Sequence, residues 1–313
     1  MPAHKVLIAD GLEENGQAIL RSSTQVDDRT GISPQELLVV INEYDALIVR
    51  SRTKVTPQVF ETARRLKVIG RAGVGVDNID LESARAHGVA VVNAPTSTSL
   101  AVAELTIGLM LALAREIPRA DAGMKQGEWL KKELAGTELH GKTLGIVGMG
   151  RIGTEVSRRA AAFGMTVLGY DSLIPPEEIT RRGVEPVELD DLYTRADYIS
   201  LHLPLTDETR LMVNERAFGR MKRGICIVDT ARGGILDEAA LLAALKSGQV
   251  AGAALDVFAS EPPGATDLVR HPRVIATPHV GAQTVEAQAR AAEDIANKVL
   301  AALNGEPLRW KIV

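Results

Sequence analysis

The sequence predicts an α/β protein of two domains, each built on a parallel sheet covered by helices, and three observations predict it. Short apolar runs alternate with helix-spaced segments along the whole chain, the pattern of βα units joined by right-handed crossovers. The apolar runs are continuous and do not alternate with polar residues, as strands buried on both faces require. The length, 313 residues, exceeds one ordinary compact domain and suits two.

Strands are expected first at Val6–Ala9, Ala46–Val49, Val68–Gly70 and Val89–Val92. They are expected again at Thr143–Gly148, Thr166–Tyr170, Tyr198–Leu203, Ile225–Asp229, Gly252–Val257 and Val274–Ala276. Helical spacing marks Thr56–Arg64, Leu81–His87, Arg151–Phe163, Glu215–Arg220 and Glu238–Lys246. Between Asn93 and Leu100 a proline and a run of small polar residues mark a boundary. Thr98 or Ser99 is placed there to cap the long helix Leu100–Arg115. The uncharged stretch Leu105–Ala114 of that helix is too short for a bilayer, which takes about 20 residues. A second boundary is expected at Thr277–Gln283, before a last helix, Val285–Leu303, with a one-sided stripe of Ala292, Ile295, Ala296, Val299 and Leu300. The boundaries leave a middle unit, 99–282, flanked by 1–98 and 283–313.

Composition excludes several classes. Hydrophobic residues are 45% and charged residues 24% of the chain, the balance of a folded globular protein. Aromatics are 3% and the net charge is -4. Neither stacking platforms nor a basic surface for nucleic acid is therefore expected. The single cysteine, Cys226, rules out an intrachain disulfide and a cysteine metal cage, and no metal is expected. The N-terminal stretch MPAHKVLIAD lacks the features of a signal peptide, so a cytoplasmic protein without a membrane partner is expected.

Chemistry first becomes legible at Gly148-Met149-Gly150-Arg151-Ile152-Gly153, a G-x-G-x-x-G. The hexapeptide alone is weak in a chain with 28 glycines. Its setting is specific: it follows the strand TLGIV, opens the helix RIGTEVSRRAAAFG, and is followed by the strand TVLGYD, which ends in Asp171, 18 residues after Gly153. Strand, glycine turn, helix, strand and acid make the dinucleotide fingerprint. Gly148 permits the turn, Gly150 admits the pyrophosphate, and Gly153 lets the helix pack on its strand. Arg151 and Ile152 stand at the helix N-terminus, whose N–H groups face the anion. Asp171 is placed to accept from the adenosine ribose hydroxyls. Ser172 and Leu173 follow it with no basic residue, so NAD is expected over NADP.

Hydride transfer to a carbonyl also needs a cation to hold the substrate and a proton donor. Arg232 follows the strand ICIVDT, Glu261 follows GAALDVF, and His279 follows VIATP. All three stand just after strands, where open α/β sheets bind ligands. With these in view, the chain resembles the D-isomer-specific 2-hydroxyacid dehydrogenases, and among them the phosphoglycerate dehydrogenase branch. The matching stretches are RAGVGVDNID (71–80), NAPTSTSLAVAELTIGLMLALAR (93–115), GKTLGIVGMGRIGTEV (141–156), LHLPLTDETR (201–210), ARGGILDEAAL (231–241), AALDVFASEPP (253–263) and TPHVGAQTVEAQ (277–288).

The resemblance implies two Rossmann-like doubly wound domains. The NAD-binding domain, 99–282, is inserted into a substrate-binding domain formed by 1–98 and 283–313. It implies that Arg232 clamps the substrate carboxylate and C2 oxygen, that His279 is the acid–base, and that Glu261 fixes its tautomer. It places Asp256 near the nicotinamide carboxamide, His202 and Pro204 along the cofactor's path, and Thr209, Thr230 and Gly281 at the cofactor. It assigns Arg50 and Arg71 to a substrate phosphate, a group that guanidinium forks suit, and the Gly73–Val74 backbone to the carboxylate. The implied reaction is NAD-dependent oxidation of D-3-phosphoglycerate, the first step of serine biosynthesis, by a homodimer; the sequence stops where longer relatives continue into a regulatory domain, either as a short natural form or because that domain was removed. Val74, Arg52, Lys131 and Asp229 depart from that branch, which keeps a glyoxylate/hydroxypyruvate reductase as the alternative enzyme. An NADH-sensing, corepressor-like dimer is the alternative outside catalysis.

Overall fold

The computed structural model describes residues 4–308 and 310–313. Each apolar run expected as a strand forms one. The chain divides into two units, one running to Ser99 and resuming at Ala282, the other spanning Leu100–Gly281.

The first unit runs β1 (Lys5–Ile8), α1 (Glu14–Arg21), β2 (Gln25–Asp28), α2 (Pro34–Val40), β3 (Ala46–Val49), α3 (Pro57–Thr62), β4 (Val68–Arg71), α4 (Leu81–Ala86) and β5 (Ala90–Asn93). Its five strands are ordered β2-β1-β3-β4-β5, and every pairing is parallel. Successive residues feed opposite faces. Leu7, Leu47 and Ile69 pack with Phe60 and Ile41 on one face, while Val6, Ile8, Ile48 and Val68 pack with Ile295 and Val299 on the other. That two-sided burial is why the strands read as unbroken apolar runs. Each fully buried aliphatic side chain contributes about 1.5–3 kcal/mol. β2 was not expected, because QVDD is a half-exposed edge strand paired, among the described residues, only with β1. α2 has a local signature that spacing alone passes over: Ser33 and Glu36 form a capping box, with Pro34 opening the helix.

The second unit holds α5 (Ser99–Arg115), α6 (Ile117–Lys125), β6 (Thr143–Val147), α7 (Arg151–Ala162), β7 (Thr166–Tyr170), α8 (Pro176–Arg181), β8 (Glu185–Pro186), α9 (Leu189–Arg195), β9 (Tyr198–Leu201), α10 (Glu215–Arg220), β10 (Ile225–Asp229), α11 (Glu238–Ser247), β11 (Val250–Leu255) and β12 (Val274–Ala276). Its parallel sheet is ordered β12-β11-β10-β9-β6-β7-β8. From β6 the chain builds outward through β7 to β8, then returns to β9 on the other side. This reversal is the switch point where such sheets open a crevice beyond their carboxyl ends.

The last helix, α12 (Val285–Leu303), belongs to the first unit. Thr284 caps it by accepting from the Ala287 N–H at 3.1 Å. Its stripe lies against the sheet so closely that a Cβ on Gly70 would stand 2.7 Å from Val299 Cγ2. Lys298, buried, donates to the Asn93 carbonyl at 2.8 Å and to Asp294 at 2.7 Å. No helix among the described residues is long and apolar enough to cross a membrane.

Candidate active site

The glycine-rich loop sits at the end of β6, beside the switch point. Gly148 has φ +100°, and a Cβ there would stand 2.6 Å from the His202 carbonyl oxygen. A Cβ on Gly153 would stand 2.1 Å from the Gly148 oxygen, so only glycine lets α7 begin this close to the loop. Gly150, the N-cap of α7, has an ordinary φ of -65°, and a Cβ on it would meet nothing within 4 Å. Neither backbone nor packing asks for glycine at Gly150, which leaves room for something outside the protein to approach the helix N-terminus. Arg151 opens α7 at the surface, while Ile152 packs against the apolar cluster behind the loop.

Asp171 follows β7 and holds this loop. Its Oδ2 accepts the Met149 N–H at 2.8 Å, and its Oδ1 accepts those of Leu173 at 2.8 Å and Ile174 at 3.1 Å. The immediate sequence after Asp171 has no basic residue, yet the fold supplies one to the same corner. Arg182, just past α8, donates to the Met149 carbonyl and, at 3.1 Å, to Thr154 Oγ1. Its Nε and Nη2 both reach Glu178 Oε1 at 3.1 Å, so a carboxylate already answers its charge. The sequence signal for it is weak, because it lies 33 residues from Met149.

The three residues expected to carry chemistry all lie beyond the carboxyl ends of β10, β11 and β12. His279 Nδ1 and Glu261 Oε2 are 2.8 Å apart, while Glu261 Oε1 accepts the Phe258 N–H at 3.2 Å. The carboxylate thereby holds one imidazole nitrogen and leaves Nε2 for chemistry. Arg232 follows β10, and its Nη1 donates to the Ala231 carbonyl at 2.7 Å. A Cβ on the next residue, Gly233, would stand 1.8 Å from the Phe258 oxygen. That close approach brings the Arg232 turn onto the turn that carries Glu261. His279 has φ 53°, a left-handed conformation that costs a non-glycine residue of order 1–3 kcal/mol.

Asp256 offsets that strain. Buried at the end of β11, its Oδ1 accepts from the Thr277 hydroxyl at 2.6 Å and the Val280 N–H at 2.8 Å, and its Oδ2 accepts the Gly281 N–H at 2.8 Å. These bonds bracket His279 on both sides. The resemblance implies a place for Asp256 near the nicotinamide carboxamide; its carboxylate also organises the histidine loop, with the Gly281 N–H as one of its donors.

The remaining expected cofactor residues lie in the second unit. His202 follows β9 and bonds Ser200 Oγ through Nε2 at 2.8 Å. Its Nδ1 is buried without a hydrogen-bond partner among the described residues, and burial lowers its pKa to about 3, so the ring is neutral. The Pro204 carbonyl accepts the Thr209 hydroxyl at 2.7 Å, which closes the turn between them. Thr230 Oγ1 pairs with Thr106 Oγ1 at 2.9 Å.

In the first unit, Arg50 and Arg71 end paired strands, since Val49 stands opposite Arg71 in the β3–β4 register. Arg50 donates to Gln283 Oε1 at 3.2 Å and lies 3.6 Å from Glu13. Arg71 folds back over Gly73, where a Cβ would stand 1.5 Å from its Nη1. The Val74 carbonyl is fixed by Asn93 Nδ2 at 2.6 Å. Arg52, without an assignment in the sequence, braces the fold: it donates to the Ala9 carbonyl at 2.7 Å and lies 3.1 Å from Asp10. Asp10, which sequence reasoning passed over, also accepts the Arg50 N–H at 2.8 Å and the Thr53 N–H at 3.0 Å. Lys131 lies exposed between α6 and β6. Asp229 is buried at the end of β10.

Comparison with known proteins gives these groups a context. The family model described as D-isomer specific 2-hydroxyacid dehydrogenase, NAD binding domain, matches residues 107–281. The chain is 51% identical over 303 residues to a D-3-phosphoglycerate dehydrogenase of Methanocaldococcus jannaschii, covering 96% of this chain and 58% of that protein. It thus spans little more than half the length of such curated relatives. Among solved structures, the TT0316 protein from Thermus thermophilus matches with a TM-score of 0.91 and 36% identity, over 99% of this chain and 100% of that one. A glyoxylate reductase from Paecilomyes thermophila matches with a TM-score of 0.90 and 31% identity, over 100% of this chain and 99% of that one.

Proposed function

The chain belongs to the D-isomer specific 2-hydroxyacid dehydrogenase family, and on that premise we propose that it interconverts D-3-phosphoglycerate and 3-phosphohydroxypyruvate with NAD(H). The observation that carries this reading is the His279–Glu261 pair at 2.8 Å, set beside the Arg232 turn beyond the carboxyl edge of a dinucleotide-binding sheet. In oxidation, His279 takes the substrate's hydroxyl proton at Nε2, because Nδ1 is held by Glu261. Arg232 holds the carboxylate and C2 oxygen by charge-assisted bonds. Arg50 and Arg71 receive the phosphate, and the Gly73–Val74 backbone receives the carboxylate.

The family's cofactor, NAD, fits the residues present: the space at Gly150 faces the N-terminus of α7, and the buried His202 Nδ1 lacks a partner. Gly148, Gly150, Arg151, Ile152 and Gly153 would hold the pyrophosphate, Asp171 the ribose, and Pro204, Thr209, Thr230, Asp256 and Gly281 the rest of the binding path. When bound, NAD supplies the hydride acceptor. Asp171→Asn keeps one oxygen for the backbone donors and removes the charge. We expect kcat/KM with NADH to fall about 10- to 150-fold, since hydrogen bonds to charged groups are worth roughly 1.5–3 kcal/mol. The NADH-to-NADPH ratio should fall with it, and an unchanged ratio refutes the role of Asp171.

The exposure of Ile117, Met124 and Trp129 along and just after α6 supports a homodimer built on α5 and its neighbourhood. The engagement of Arg50 with Glu13 and Gln283 favours a second reading, a glyoxylate/hydroxypyruvate reductase, because it leaves less of that guanidinium for a phosphate. A substrate panel decides between them. NADH absorbance is followed with phosphorylated and plain 2-hydroxy acids and their 2-oxo counterparts. Phosphoglycerate is expected to give the highest kcat/KM, and preference for plain acids selects the reductase.

A further inference from the structure

Asp229 closes β10, three residues before Arg232. The residue is 2% exposed, and its carboxyl group accepts one hydrogen bond among the described residues, from the Ala231 N–H at 2.9 Å. On the adjacent strand Asp256, 1% exposed, accepts the three bonds that bracket His279. The backbones of the two residues are joined, the Asp256 N–H donating to the Asp229 carbonyl at 2.9 Å. A buried carboxylate with a single donor is costly to charge. Asp229, buried and donor-poor, is the group left to carry a proton.

We propose that Asp229 is a positioning residue acting through Arg232. Protonated, it steadies the Ala231 turn, whose carbonyl accepts from Arg232; ionised, it adds a negative charge beside that turn, so affinity for the anionic substrate falls as pH rises. The proposal rests on the reading of Arg232 as the substrate clamp. Burial pushes Asp229 up to about 7. The Ala231 N–H and Arg232 oppose that rise, while Asp256 and Glu238 add to it. From β9, the residue opposite is the apolar Leu201, and the next ionisable group, His202, is neutral. Proton and substrate are then linked reciprocally: substrate binding near pH 7 draws a proton onto Asp229.

The test compares the wild type with Asp229→Asn, which keeps an acceptor for the Ala231 N–H and cannot ionise. From pH 6 to 8.5 the substrate KM of the wild type is expected to rise about tenfold more than that of the variant, within the range of typical site-to-site couplings. The difference should lie in KM, with the NADH Kd from fluorescence titration equal in both proteins. Difference infrared spectroscopy should show a protonated-carboxyl band at pH 6 in the wild type that fades through pH 7 and is missing in the variant.

Stability supplies a further readout. A carboxyl raised in the folded state contributes stability that is present below its unfolded pKa and lost as pH rises through its folded value. Asp229→Asn should therefore raise Tm progressively from pH 4 to 7 and by a constant amount above. A KM ratio that stays flat with pH, or no titrating band, overturns the proposal in an enzyme that turns over 2-hydroxy acids. Absence of turnover with every 2-hydroxy acid overturns the functional reading and the Arg232 coupling with it. The infrared titration then still reports whether Asp229 carries the proton.

Discussion

Replacing His279 by Ala is expected to lower kcat by roughly 10²–10⁴, the usual range for losing a positioned acid–base, while NADH binding stays nearly intact. The separation follows from the fold. Asp256 ties Thr277, Val280 and Gly281 directly to the end of β11, so the loop keeps its anchors when the imidazole is removed. Relief of the left-handed φ at position 279 is not expected to help, because Ala also carries a Cβ; the backbone strain remains and only the proton carrier is lost. Stopped-flow NADH fluorescence and steady-state turnover measure the two properties independently. Normal turnover in the variant removes His279 from the mechanism, and loss of NADH binding in proportion to kcat assigns it a structural part.

The second large effect concerns the phosphate. Arg71→Ala should cost about 10- to 150-fold in kcat/KM for 3-phosphoglycerate, from the roughly 1.5–3 kcal/mol of a charge-assisted contact. It should hardly alter kcat/KM for glycerate or glyoxylate, which have no phosphate to lose. Arg50→Ala should cost less, because Glu13 at 3.6 Å and Gln283 at 3.2 Å already engage that side chain. Part of the loss can fall on kcat, since binding energy remote from the reacting carbon also positions it. The ratio between phosphorylated and plain substrates is the informative quantity, because general destabilisation depresses both. An equal loss on both classes makes Arg71 structural, or a carboxylate ligand shared by all the acids.

Much of the protein is legible in its residues alone. The parallel sheets announce themselves because strands buried on both faces leave unbroken runs such as ALIV and TLGIV. The dinucleotide loop does so because the left-handed φ at Gly148 and the approach of Gly153 to the Gly148 oxygen are local demands that only glycine meets. Arg232, Glu261 and His279 stand out in the sequence because open sheets bind ligands just after their strands, and the structure places all three there, with His279 and Glu261 2.8 Å apart. Edge strand β2 and the two-residue β8 escaped, since half-exposed QVDD and the pair EP carry no apolar run.

What tertiary structure alone decided is partnership between groups distant in sequence. The seat of α12 on the sheet depends on Ile295 and Val299 finding the space left by Gly70; the resemblance implies which unit the helix joins, but an amphipathic stripe does not name the surface it will cover. Asp256 anchors the histidine loop from 21 to 25 residues away, Arg182 clasps the glycine loop from 33, and Arg52 turns from an unplaced charge into a brace on Asp10 and Ala9. Local spacing determines which residues share a strand or a helix face. Hydrogen bonds and buried charges are settled between elements, by directions and desolvation that exist only once the sheets have formed.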